Sequence, residues 1–126
     1  MTSTLTKSVL SVDDSSSMRQ IIKSCLEKEG YNISEANNGL EALNKVQSGE
    51  KFDLFLVDVN MPEMDGISFV KELRKNSQYD KVPVVMLTTE SQPEKRLQGA
   101  AAGATGWIVK PFDPAQFVKV VKKLMS

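Results

Sequence analysis

The sequence contains no histidine. That absence excludes a Ser-His or Cys-His nucleophile within the chain. It also removes imidazole from the available metal ligands, leaving mainly carboxylate and carbonyl oxygen. Any chemistry that passes through a phosphorylated histidine must take that histidine from another protein. Cysteine is almost as scarce: Cys25 stands alone, so no internal disulfide can form. The longest apolar stretch, Val82 to Leu87, is interrupted by Pro83; it falls far short of the roughly 20 residues that span a bilayer. Met1 to Lys7 are polar and lack the apolar centre of a signal peptide. Neither charge is in excess, with 16 Lys plus Arg against 16 Asp plus Glu. That balance argues against a dominant nucleic-acid or anionic-membrane surface. A cytoplasmic protein is expected, with no nucleic acid and no membrane insertion.

What is present is an ordinary globular composition, 40% hydrophobic and 25% charged. A length of 126 residues favours one domain spanning the chain. The punctuation repeats five times. Val9, Leu10 and Val12 form a short strand ending at Asp13, and Met18, Ile21, Ile22, Cys25 and Leu26 then follow helical spacing up to Gly30. One of Ser15, Ser16 and Ser17 is expected to cap that helix, since the glycines of a phosphate loop are missing. A second strand lies near Tyr31 to Ala36. Asn38 and Glu41 have capping-box spacing before a helix with Leu40, Leu43 and Val46 inward. Phe52 to Val57 reads as a strand buried on both faces. Asp65 caps a third helix marked by Ile67, Val70 and Leu73.

Val82 to Leu87 is the fourth strand. Ser91 and Glu94 suit a capping box for the fourth helix, with Pro93 in its first turn and Leu97 as its one large aliphatic anchor. The fifth strand lies near Thr105 to Val109. Asp113 caps the last helix, with Pro114 at its first position and Phe117, Val120, Val121 and Leu124 as its stripe. Five such units imply an α/β, flavodoxin-like doubly wound (βα)5 fold. Its five parallel strands are expected in the order 2-1-3-4-5, with function beyond their carboxyl ends.

Those ends carry a consistent set: Asp13 and Asp14 after the first strand, Asp58 after the third, Thr88 after the fourth, Lys110 and Pro111 after the fifth. Three converging carboxylates raise one another's pKa values, and a divalent cation relieves the repulsion. All-oxygen ligands suit Mg²⁺. Three aspartates and one lysine leave a formal charge of about minus two, which one such ion balances. An aspartate can serve as nucleophile and form an acyl phosphate, a transfer that chiefly needs charge neutralisation and in-line positioning.

Asp13-Asp14, Asp58, Thr88 and Lys110-Pro111-Phe112 together resemble the signature of response-regulator receiver domains. The segment Asn60-Met61-Pro62-Glu63-Met64-Asp65-Gly66 resembles the loop after that family's phosphorylated aspartate. The resemblance covers essentially the whole chain and is nearest to the stand-alone chemotaxis regulators. It implies a two-component signalling protein that catalyses only its own phosphorylation and dephosphorylation. Asp58 would be the phosphoacceptor. Asp14, Asp58 and the backbone carbonyl of Asn60 would ligate Mg²⁺, with Mn²⁺ as an alternative, and Asp13 would act largely through water. Thr88 would follow the phosphoryl group, Lys110 would pair with it, and the Lys110-Pro111 bond would be cis. Asn60 and Glu90 occupy positions that tune dephosphorylation.

A histidine kinase is implied as donor, with a flagellar motor switch protein and a phosphatase as further partners of a monomer. The output surface would be formed by the fourth helix, fifth strand and fifth helix. Two residues depart from the pattern. Trp107 stands where the switch aromatic is often Tyr or Phe, and its bulk bears on the inward swing. Thr89 stands where a small residue is usual, which narrows access for a donor or phosphatase. A phosphate sink without a downstream partner shares every one of these residues. A phosphatase of the haloacid-dehalogenase type would need an acid where Asn60 stands, and a flavodoxin would place its phosphate against Asp13 and Asp14. Plainer readings exist as well: Cys25 as core, Trp107 as a structural aromatic, and Lys119, Lys122 and Lys123 as a solvated face.

Overall fold

The computed structural model describes residues 7–61, 63–89 and 93–125. Strands and helices alternate: β1 (Ser8–Val12), α1 (Ser16–Glu27), β2 (Asn32–Ala36), α2 (Gly39–Gln47), β3 (Leu54–Asp58), α3 (Gly66–Arg74), β4 (Val84–Thr89), α4 (Pro93–Ala102), β5 (Gly106–Lys110) and α5 (Pro114–Met125). A single 3-10 turn, Ser77–Tyr79, joins α3 to β4. The five strands pair in parallel in the order β2-β1-β3-β4-β5. This is the flavodoxin-like arrangement that the alternation of units predicts.

Successive strand residues point to opposite faces, so each strand feeds two cores. Leu10, Val12, Phe55, Val57, Val84 and Met86 pack with Ala42, Val46, Phe69, Val70 and Leu73 of α2 and α3. Val9, Leu54, Leu56, Val85, Leu87 and Ile108 pack with Ile22 and Leu26 of α1 and Phe117, Val121 and Met125 of α5. β3 is buried along its whole length. Among the described residues no helix is long and apolar enough to cross a membrane.

The helix starts follow the local chemistry of side-chain oxygens capping free amides. Ser15 accepts from the amide of Met18 at 3.2 Å, Asp65 from Ser68 at 2.7 Å and Asp113 from Gln116 at 3.3 Å. Asn38 accepts from Glu41 at 2.8 Å, but the Glu41 carboxylate reaches back one residue further than a standard box, to the amide of Asn37 at 2.7 Å. The expected cap at Ser91 lies outside the described residues.

Four inward expectations fail. Leu40 is 46% exposed, because the buried line of α2 runs through Gly39, Ala42 and Val46. Leu97 is 75% exposed and anchors nothing; α4 turns Gly99 inward instead. Ile21 and Val120 also lie off the buried lines of their helices. Strand bounds shift as well. β3 starts at Leu54 and takes in Asp58, and β4 starts at Val84. Pro83 has no amide to donate to the sheet, although its carbonyl accepts from Phe55 at 3.1 Å.

Candidate functional site

Strand register brings the predicted residues to one edge. Val12 lies opposite Val57, so Asp13 follows β1 where Asp58 closes β3. Asp58 lies opposite Leu87, one residue before Thr88, and Thr88 lies opposite Val109, one residue before Lys110. Asp13 and Asp58 are buried and Asp14 is exposed, and one carboxylate oxygen from each lies within 4.8 Å of the others. Lys110 joins them. Its Nζ donates to Asp58 Oδ1 at 2.9 Å and to Asp13 Oδ2 at 3.2 Å. The other Asp13 oxygen accepts from the amide of Ser15 at 2.9 Å, which ties it to the start of α1.

The electrostatics follow from three acids sharing one lysine. Burial pushes the Asp58 carboxyl above the usual carboxylate range; the hydrogen bond from Lys110 pulls it down, and the charges of Asp13 and then Asp14 push it up again. Burial would depress the Lys110 ammonium, but its bonds to Asp58 and Asp13 and their charges outweigh this and hold it above its ordinary value. The acid is under-compensated and the lysine over-compensated, as expected of a site one positive charge or more short. Hard carboxylate donors in such a cluster fit a small divalent cation.

Thr88 is buried, and its hydroxyl makes a long 3.4 Å contact to the carbonyl of Thr89. Thr89 and Asn60 are exposed. The Lys110-Pro111 bond is cis. Trp107 packs its indole against α4, where a methyl group on Gly99 would collide with the ring, and Arg96 lies 5.9 Å over the ring centroid. Glu90, like Pro62 of the loop, lies outside the described residues. Of the three lysines on α5, Lys122 is paired with Glu29 at 2.5 Å. Cys25 packs partly buried beside the α1/α5 core.

Two supporting residues escaped the sequence reading. Gly66 opens α3 so close behind β3 that an added Cβ would strike the Asp58 carbonyl. A glycine at a first helical position, where alanine is better, was the available cue. Arg19 donates to the Asp13 carbonyl at 2.6 Å and to Glu35 at 3.0 Å; a single arginine on a polar helix face gives no cue.

The comparisons with known proteins agree with one another. The profile of the response regulator receiver domain matches residues 9–122. Chemotaxis response regulator CheY4 of Vibrio cholerae superposes with a TM-score of 0.88 at 48% identity, covering 94% of this chain and 98% of its own. Chemotaxis protein CheY1 of Helicobacter pylori is 41% identical over 107 residues, 84% of this chain and 86% of that protein. Sensor histidine kinase CheAY of Helicobacter pylori is 40% identical over 116 residues; the match takes in 91% of this chain but spans only 14% of the kinase.

Proposed function

The chain belongs to the response regulator receiver domain family, and we propose that it works as a cytoplasmic, monomeric regulator of a chemotaxis phosphorelay. In this reading a histidine kinase donates a phosphoryl group to Asp58. The observation that carries it is the Lys110 ammonium bridging the buried Asp58 and Asp13, with the exposed Asp14 completing an acidic cluster short of positive charge. The similarity to CheY4 and CheY1 supports the chemotaxis assignment. The match within a sensor histidine kinase supports the class of donor. Asp13, Asp14, Asp58 and the carbonyl of Asn60 would hold Mg²⁺. That ion, when bound, would neutralise phosphoryl oxygens.

The chain's own residues supply the rest. An Asp58 carboxylate oxygen bonds to phosphorus as the phosphorus–nitrogen bond of the donor's phosphohistidine breaks, and the electron pair of that bond returns to the imidazole. The chain has no histidine, so the donor must be a second protein. Lys110 is already within reach of Asp58 and loses little conformational freedom in turning to the new phosphoryl charge. The Thr88 hydroxyl gives up its long contact to Thr89 when it turns inward. That shift, with Trp107 packed on Gly99, biases the α4-β5-α5 surface toward a second packing, the form that binds a motor switch protein. Asn60 and Glu90 set how a water or a phosphatase reaches the acyl phosphate.

Phosphotransfer from an autophosphorylated, radiolabelled histidine kinase of the chemotaxis type tests this reading. Label is expected to move to the wild-type chain within seconds to minutes and not to Asp58→Asn. Lys110→Ala is expected to slow transfer by at least about a hundredfold, since removal of a comparable preorganised charge donor costs that much. Equal transfer to wild type and Lys110→Ala would remove the lysine from the mechanism.

A further inference from the structure

The peptide joining Asp13 to Asp14 sits where β1 hands the chain to α1, and its fastening differs on its two sides. The Asp13 amide donates to the Ala36 carbonyl at 3.1 Å, the last bond between β1 and β2. The Asp13 carboxylate is held by Ser15 and Lys110. The Asp13 carbonyl has no strand left to pair with, because β2 ends at Ala36. Nη1 of Arg19 takes it at 2.6 Å. Nε of the same guanidinium donates at 3.0 Å to Glu35, in β2, whose other carboxylate oxygen lies 3.9 Å from Lys23.

Two donors of one rigid, planar guanidinium thus meet two acceptors, one just past the end of β1 and one on a β2 side chain. The Arg19 side chain is only 15% exposed, so water competes poorly for either bond. The direction of a carbonyl fixes the plane of its peptide, and this peptide decides which way Asp14 leaves the strand. Asp14 needs that help. Among the described residues its carboxylate accepts no hydrogen bond, whereas that of Asp13 accepts two. Loss of Arg19 therefore falls chiefly on Asp14.

We propose that Arg19 is a positioning residue for the acidic cluster: held by Glu35 and holding the Asp13 carbonyl, it sets where the Asp14 carboxylate stands and so the affinity of the site for a divalent cation. The inference rests on the reading that Asp13, Asp14 and Asp58 bind Mg²⁺. Groups that orient ligands from behind in this way change metal affinity by about ten- to a hundredfold when replaced. Lysine keeps the charge of Arg19 but replaces the separate Nε and Nη1 donors with one nitrogen on a flexible stem, and so loses their fixed spacing.

Calorimetric titration with MgCl₂ of the wild type, Arg19→Lys, Glu35→Gln and the double variant tests the proposal, each checked for folding by circular dichroism. Arg19→Lys is expected to weaken Mg²⁺ binding about tenfold or more. Glu35→Gln should weaken it less, and the double variant no more than Arg19→Lys alone, because Glu35 acts through Arg19. A lower melting temperature for Arg19→Lys with wild-type Mg²⁺ affinity would make the arginine a structural strut and overturn the proposal. Should Arg19→Lys fail to fold, wild-type affinity in Glu35→Gln would overturn it equally. No Mg²⁺ binding by the wild type would defeat the cation reading itself, and this inference with it.

Discussion

Asp58→Asn is expected to make the metal-free protein more stable, although it deletes a partner of Lys110. Asp58 is 7% exposed, and burial together with two neighbouring acids outweighs the lysine bond and raises the pKa of its carboxyl. Asparagine keeps the shape and an oxygen acceptor for Lys110, which also retains Asp13 at 3.2 Å. The gain should be read at pH 7 as a higher melting temperature for the variant.

The sign of the pH dependence follows from the raised pKa. Between the unfolded value of 3.8 and the folded value, the native state binds more protons than the unfolded state. The Asp58 contribution to stability therefore falls as pH rises through that window and is level above it. The advantage of Asp58→Asn should open over the same window and then hold steady. Mg²⁺ reverses the order. A ligand at a hundred times its dissociation constant stabilises by about 2.7 kcal/mol, a gain open to the wild type and largely lost to the variant. Thermal unfolding from acid to neutral pH, in EDTA and in excess Mg²⁺, checks each part. A variant less stable than wild type in EDTA at pH 7 would mean that the Lys110 bond outweighs burial.

Arg74→Ala is expected to cause the largest loss of stability of any single change discussed. Arg74 closes α3, and its guanidinium reaches three carbonyls from two segments. Nη1 donates to Tyr79 at 2.6 Å and Val82 at 2.7 Å, and Nη2 and Nε donate to Gly103 at 2.8 and 3.1 Å. Burial lowers the arginine's pKa below its ordinary value, and the charge of Asp80 partly restores it; the group stays charged. The clamp joins α3 to the approaches of β4 and β5. Alanine removes four charge-assisted bonds and leaves their acceptors to water. The expected cost is about 3 kcal/mol, roughly 10 °C or more in melting temperature. Arg74→Lys should recover less than half, since one ammonium cannot face both segments. The clamp serves the strand starts, at the far end of the sheet from Asp58. Mg²⁺ affinity at 25 °C should therefore match the wild type in any variant that remains folded. Chemical denaturation gives the first number, and a loss under about 1 kcal/mol would contradict the clamp.

These two residues mark the reach of sequence reading here. The strand-end carboxylates were legible because a parallel sheet sends every strand's carboxyl end to one edge, so position along the chain converts directly into a place in the site. Caps at Asn38, Asp65 and Asp113 were legible because their partners lie three residues away. The phase of a helix was less so. Leu40 and Leu97 satisfy a stripe on paper, but Gly39, Ala42 and Gly99, small residues that carry little weight in a hydrophobic pattern, set the inner face where α2 meets Met64 and α4 meets Trp107. Arg74 and Arg19 were invisible. Their acceptors are backbone carbonyls and a carboxylate up to 29 residues away, and every residue has a carbonyl.

The most direct test of Asp58 as phosphoacceptor is chemical. The protein is incubated with acetyl phosphate and Mg²⁺, quenched, reduced with borohydride and mapped by tandem mass spectrometry. Borohydride converts an acyl phosphate to a primary alcohol, so a phosphorylated aspartate becomes homoserine. Homoserine at position 58, absent when Mg²⁺ is omitted, is the predicted result. An unmodified Asp58, with homoserine at position 13 or 14 or phosphate retained on a serine or threonine, would contradict it.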